Sequence, residues 1–220
     1  MKKTTVYLIR HGQSESNLAK YFAGQIDVSL SELGHAQAER TSEYLMNIPV
    51  DVIYSSDLLR ARQTAQHTAE KKNLPVHTSP KLREIFAGDW EGKSTAEMKN
   101  DPESGFQTWL YNIGAVQTPN GESVKEVQER FVPEVERIMR ENEGKTIFIF
   151  CHATPIRLLR AAWENVPLEG IKDIPRVANS SVTHGEYSDG AFRIVNYSYA
   201  DFLGDMKVEP SRAGVKDGAK

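Results

Sequence analysis

Thr146-Ile147-Phe148-Ile149-Phe150-Cys151-His152 is an apolar run with no alternation, ending on a cysteine and a histidine. A strand without a polar face is covered on both sides, which is the habit of parallel sheets flanked by helices. A helical pattern follows directly, over residues 156–163. Outward from this run the same alternation repeats. Residues 5–9 predict a first strand, which stops at Arg10-His11-Gly12, and residues 50–54 predict a second. Ser31 is placed to cap a helix running to about Met46, and Asp57 to cap another through Leu58, Ala61, Ala65 and Ala69. Ser123-Val124-Lys125-Glu126 has capping-box spacing ahead of Val127, Phe131, Val135 and Ile138. Pro133 is expected to kink that helix unless its ring faces solvent. Residues 181–187 and 192–197 flank Asp189-Gly190, a hairpin signal for the edge of a sheet. The sum is an α/β fold, a three-layer α/β/α sandwich around a mostly parallel central sheet.

Length and composition bound the rest. The 220 residues suit one domain, expected over 1–203, with a polar, loosely attached tail over 204–220. Between 88 and 121 the periodicity weakens around Trp90 and Trp109, which predicts an irregular insertion with short helices shaping the mouth of a site. Hydrophobic residues make up 39% and charged residues 26%, ordinary globular values. A net charge of −3 without a basic block argues against nucleic acid as a partner. The single cysteine excludes an internal disulfide framework. The apolar run after Met1-Lys2-Lys3-Thr4 is too short for a signal peptide, and nothing approaches the roughly 20 apolar residues of a membrane span. A soluble cytoplasmic protein without a membrane partner is expected, with monomer and homodimer both open.

The chemistry-bearing residues gather at strand ends, where α/β sheets bind ligands. Arg10 and His11 close the first strand. Arg60 falls about one turn into the helix after the second strand, near a helix N-terminus that favours anions. Leu82-Arg83-Glu84 precedes Gly88-Asp89-Trp90-Glu91-Gly92, and His152 ends the buried strand. Arginine forks onto phosphate, and histidine serves as nucleophile or base. Arg62 competes with Arg60, but 100° per residue keeps both from facing one point.

The ordered set resembles the histidine phosphatase superfamily, the phosphoglycerate-mutase-like proteins. It is carried by residues 10–17 (Arg-His-Gly-Gln-Ser-Glu-Ser-Asn), Arg60-Ala61, Glu84 before residues 88–92, Gly121-Glu122-Ser123 and His152. The resemblance implies that His11 becomes phosphohistidine, that Arg10, Arg60 and His152 hold the phosphoryl oxygens, and that Glu84 is the proton donor. It further implies that Asn17 lines the phosphate pocket, that Gly24 and Gln25 approach the substrate, and that Ala153 follows the second histidine in the pocket wall. Phosphoryl transfer needs in-line positioning and charge stabilisation more than covalent help, and two guanidiniums with an imidazole supply these without metal or cofactor. A bound phosphate disfavours a second anion beside it, so the acid holds a proton for the leaving alkoxide. Residues 84–92 look like the phosphatase branch, whereas mutases carry Leu-Asn-Glu-Arg-His-Tyr-Gly around the acid and a tryptophan where Ser16 stands. The expected activity is therefore hydrolysis of a phosphomonoester on a small metabolite. The alternatives are a cofactor-dependent phosphoglycerate mutase and a phosphate-binding scaffold without turnover.

Three other motifs compete. Residues 88–94 are one residue short of a phosphate-binding P-loop and follow no apolar strand. Asn179-Ser180-Ser181 and Asn196-Tyr197-Ser198 are glycosylation sequons, meaningful only with secretion. Cys151 and Arg157 have the spacing of cysteine-dependent phosphatases, but the loop between them lacks glycine and loses an amide donor to Pro155.

Overall fold

The computed structural model describes residues 2–208. Within them, six strands form one sheet: β1 (Thr4–Arg10), β2 (Val52–Ser56), β3 (Val76–Ser79), β4 (Thr146–Cys151), β5 (Val182–Ser188) and β6 (Ala191–Tyr199). Their spatial order is β3-β2-β4-β1-β5-β6. The β1–β4, β4–β2 and β2–β3 pairs are parallel, while β5 runs antiparallel to β1 and β6 antiparallel to β5. The helices are α1 (Glu15–Ala19), α2 (Glu32–Leu45), α3 (Leu59–Lys72), α4 (Thr95–Asn100), α5 (Phe106–Tyr111), α6 (Val124–Glu141) and α7 (Ala153–Trp163).

The unbroken apolar run of β4 has a simple cause. Ile147, Ile149 and Cys151 enter a core with Phe131, Val135, Ile138, Ile156 and Leu159 from α6 and α7. Phe148 and Phe150 point the other way, into a core with Leu45 of α2 and with Ala65 and Ala69 of α3. Each of these strand side chains is fully buried, at roughly 1.5–3 kcal/mol apiece. No helix among the described residues is long and apolar enough to cross a membrane.

Local signals fare unevenly. Ser31 and Ser123 cap α2 and α6, and Ser123 with Glu126 completes both bonds of the capping box. Pro133 lies inside α6, where it is exposed and the helix runs on past it. Asp57 does not cap α3: its carboxylate is held by Arg83 at 2.7 and 2.6 Å, so the N-cap position falls to Leu58, and Asp27 accepts the Leu59 N–H. The second strand lies two residues later than its apolar centre suggests, ending on the buried Ser55 and Ser56. Strand β3 has no sequence signature because it is a four-residue, half-exposed edge. The hairpin forms, with Asp189 and Gly190 both at positive φ, and β6 is the edge.

The 88–121 stretch holds short helices and, beyond what its weak periodicity shows, a core of its own. It carries α4, α5 and three short 3₁₀ turns around a separate core of Trp90, Met98, Phe106, Ile113 and Val116, packed against Val127 of α6 and Leu158 of α7. At the other end, residues 204–206 continue a 3₁₀ segment (Asp201–Met206), and Gln37 donates to the Met206 carbonyl at 2.8 Å. Residues 209–220 of the expected tail lie outside the described residues.

Candidate active site

The parallel register of β1 and β4 pairs Arg10 with Cys151, so the next residue on each strand, His11 and His152, come side by side. Their ring centroids are 5.1 Å apart. The ladder continues one step further, with His11 N–H donating to the Cys151 carbonyl at 3.0 Å. After β1 the chain turns against α2, and the approach is tight: a Cβ on Gly34 would stand 1.9 Å from the Gln13 carbonyl oxygen. Only glycine fits there, at the first turn of α2, where the helix packs on the histidine loop.

His11 is 4% exposed, and its Nδ1 lies 2.6 Å from the Gly12 carbonyl. A carbonyl only accepts, so Nδ1 carries the proton and Nε2 is left unprotonated, as an acceptor. Arg60 Nε donates to that Nε2 at 3.3 Å. Arg60 is fixed by its other nitrogens, Nη1 on the Ile26 carbonyl at 3.0 Å and Nη2 on the Gly24 carbonyl at 2.7 Å. It sits in the first turn of α3 and is buried, whereas Arg62 is exposed.

His152 is fully buried, with Nε2 at 2.9 Å from the Ser56 hydroxyl. That hydroxyl accepts from the Leu58 N–H, so its own proton is available to Nε2. With the hydroxyl donating to Nε2, the ring proton is on Nδ1, which has no partner among the described residues. Arg10 is similar: Nη1 is anchored on the Val177 carbonyl at 2.6 Å, and its buried Nε has no partner among the described residues. Two buried donors are thus left unmade, which is costly unless a ligand meets them.

Glu84 is reached from a different direction. One carboxylate oxygen accepts the Ile85 N–H at 2.9 Å and the other the Thr154 N–H at 3.2 Å, at the start of α7, where a helix dipole favours an anion. The nearby carboxylate of Glu91 is otherwise engaged, accepting from Gln25 N at 2.7 Å and Ala87 N at 3.0 Å. Gln25 donates through Nε2 to the Glu84 carbonyl at 3.1 Å, joining the two loops. Asn17 lies in α1, its Oδ1 accepting from Ser14 N–H and from Asn179 at 3.1 Å. Ala153 is the first residue of α7, beside His152.

Several contributors were not read from the sequence. Ser56 orients His152, Thr64 accepts the Gly12 N–H at 3.1 Å, and Asn179 donates to the His11 carbonyl at 3.2 Å. The buried Ser55-Ser56 pair at a strand end was the available signal for the first. Asn179 was visible only as part of a glycosylation sequon. Cys151 and Arg157 do not form an anion cradle: Cys151 lies in the core, burial pushes its thiol well up, and Arg157 Nη2 is spent on the Ile171 and Ile174 carbonyls.

Burial, then the charges of Arg60 and Arg10, hold His11 well below the usual imidazole range; burial, Arg60 and His11 do the same for His152. Burial lowers Arg10 to about 10, which leaves it cationic at neutral pH. Both histidines are neutral in the fold, whereas the unfolded chain protonates them near pH 6.5. Their contribution to stability is complete above that pH and is lost as pH falls through it, by about 1.4 kcal/mol per unit per histidine. Urea unfolding between pH 7.5 and 5 is expected to show this fall, and His11→Ala to flatten it by one proton; an unchanged slope in the variant would contradict the neutral assignment.

A model of the histidine phosphatase superfamily (branch 1) matches residues 6–199. Phosphoserine phosphatase 1 of Hydrogenobacter thermophilus is 31% identical over 94% of this chain and 97% of its own. A 2,3-bisphosphoglycerate-dependent phosphoglycerate mutase of Bartonella quintana is 34% identical over 76% of this chain and 84% of its own. The native structure of a mycobacterial glucosyl-3-phosphoglycerate phosphatase superposes with a TM-score of 0.83 at 27% identity, covering 90% of this chain and all of that one.

Proposed function

The chain belongs to the histidine phosphatase superfamily, and on that footing we propose that it hydrolyses a small phosphomonoester through a phosphohistidine on His11. The observation that supports the reading is the pairing of the two histidine rings at 5.1 Å, with Arg60 Nε donating to the unprotonated His11 Nε2 and with two buried groups, Arg10 Nε and His152 Nδ1, left without partners among the described residues. A phosphoryl group set against Nε2 gives each donor an oxygen to bond.

In the first step the Nε2 lone pair attacks phosphorus in line with the ester oxygen. The P–N bond forms, the P–O bond breaks, and Glu84 gives its proton to the departing alkoxide. Arg10, Arg60 and His152 bear the charge on the equatorial oxygens. Asn17, Gly24, Gln25 and Ala153 complete the wall around the phosphate and the ester group. In the second step Glu84 takes a proton from water, whose oxygen attacks phosphorus; the P–N bond breaks and His11 returns to its neutral state. No step requires a metal or organic cofactor. A neutral His11 is the attacking form, and its lowered pKa keeps it so in mildly acidic buffer.

The test is phosphate release from a panel of sugar phosphates, nucleotides, phosphoglycerates and phosphoamino acids in EDTA. Turnover with an acid-labile phosphoenzyme supports the reading. Cys151→Ala is expected to retain activity within about threefold, since the thiol is buried and does not ionise at neutral pH; loss of activity there with His11→Ala active would overturn it. The resemblance to the Bartonella mutase favours a second reading, which predicts net interconversion of 3- and 2-phosphoglycerate dependent on a bisphosphate primer.

A further inference from the structure

Glu84 stands on a segment without regular structure of its own. Residues 83–87 are neither helix nor strand, and the carbonyls of Lys81, Arg83 and Glu84 have no partner in a ladder. All three are received by one side chain. Arg130, projecting from α6, donates through Nη1 to the Lys81 and Arg83 carbonyls at 3.0 and 2.8 Å, and through Nη2 to the Glu84 carbonyl at 2.7 Å. Its remaining donors go to Glu122, Nε on Oε1 at 2.6 Å and Nη2 on Oε2 at 2.8 Å. A guanidinium has five N–H donors, so every one is used. Glu122 in turn accepts the Phe86 N–H at 2.8 Å, and its own N–H donates to the Phe86 carbonyl at 2.8 Å. The Arg130–Glu122 pair therefore grips the chain on both sides of Glu84, and neither side chain touches the carboxylate.

We infer that Arg130 and Glu122 are positioning residues for the proton donor, acting through the backbone of residues 81–86. The inference rests on the reading of Glu84 as that donor. The pair is only about one-fifth exposed, at 19% and 21%, and it hangs from α6, whose Val127 and Phe131 are locked in two cores. This couples the acid to the rigid frame of the domain. A displacement of about 1 Å in a reacting group costs on the order of 10²-fold in rate, so loosening this grip reaches the proton transfer without removing any side chain that meets phosphate, and Arg130→Lys keeps the charge that Arg130 sets against His152.

The leaving group separates positioning from general structural support. A dinitrophenolate departs unaided, whereas a plain phenolate needs the proton. The experiment measures kcat/KM, which reports the phosphorylation half-reaction, for phenyl phosphate and 2,4-dinitrophenyl phosphate. The variants are Arg130→Met, Arg130→Lys, Glu122→Gln and the reference Glu84→Gln, each checked for an unchanged melting curve. Arg130→Met is expected to lose about 10²-fold on phenyl phosphate and less than about threefold on the dinitrophenyl ester, a pattern shared with Glu84→Gln. Arg130→Lys recovers part of the loss, because an ammonium reaches carbonyls but cannot fork onto Glu122. Glu122→Gln shows the same selectivity at smaller amplitude and carries the test should Arg130→Met not fold. Equal losses on both esters, or no loss, in the Arg130 and Glu122 variants overturn the inference while a selective Glu84→Gln leaves the acid in place. A non-selective Glu84→Gln overturns the acid assignment and this inference with it.

Discussion

His11→Ala is expected to lose turnover by about 10⁶-fold, the scale seen when a covalent nucleophile is removed, and to form no acid-labile phosphoenzyme. His11 Nε2 is unprotonated, since Nδ1 faces a carbonyl, and its hydrogen-bond partner is the Arg60 Nε, which an incoming phosphoryl oxygen can take over, whereas His152 Nε2 is held by Ser56. No neighbour can replace it, because His152 is tied to β2 and Cys151 points into the core. The variant retains Arg10, Arg60 and His152, so it should still bind inorganic phosphate. Binding with no turnover locates the loss in the chemical step. Rapid-quench labelling with radioactive substrate followed by acid and base lability decides it, and an alanine variant that still traps labelled phosphate would refute the role of His11.

Arg60→Ala should follow, with a loss of about 10³–10⁵-fold in kcat/KM, the range of a guanidinium that stabilises a transferring phosphoryl group. Arg60 contributes to ground-state order as well, since it ties the Gly24 and Ile26 carbonyls to the site. Arg60→Lys keeps a positive charge but cannot bond both carbonyls and a phosphoryl oxygen together, so it should recover only a small part of the rate. Both variants should bind phosphate more weakly than His11→Ala does. A lysine variant with near wild-type kcat/KM would mean that charge alone matters and that the fork geometry is incidental.

The legibility of the molecule divides along the range of its interactions. Serine caps at Ser31 and Ser123 and the Asp189-Gly190 turn depend on neighbours within a few residues, and the fold keeps them. The failure at Asp57 has the opposite origin: a carboxylate placed to cap a helix was taken by Arg83, 26 residues away, through a stronger bidentate pair. The unread β3 and the unread core of the 88–121 stretch share a cause as well. An edge strand needs no apolar face, and a small core built from short turns leaves no period to read.

The site shows the same division. Residue type and order named His11, His152, Arg10, Arg60 and Glu84 as candidates, because phosphate chemistry needs cations, an imidazole and an acid at strand ends. The β1–β4 register that sets the two histidines 5.1 Å apart exists only in three dimensions. So do the Ser56 bond that orients the His152 ring and the Arg130–Glu122 grip on the acid loop. Composition and periodicity act within a turn or a strand and select which elements form. The His11 tautomer is set locally by the next residue's carbonyl, but the His152 bond to Ser56, the buried unpaired donors and the lowered imidazole pKa values come from desolvation and long-range contacts, which arise when segments as distant as residues 11, 56, 84 and 152 are packed together.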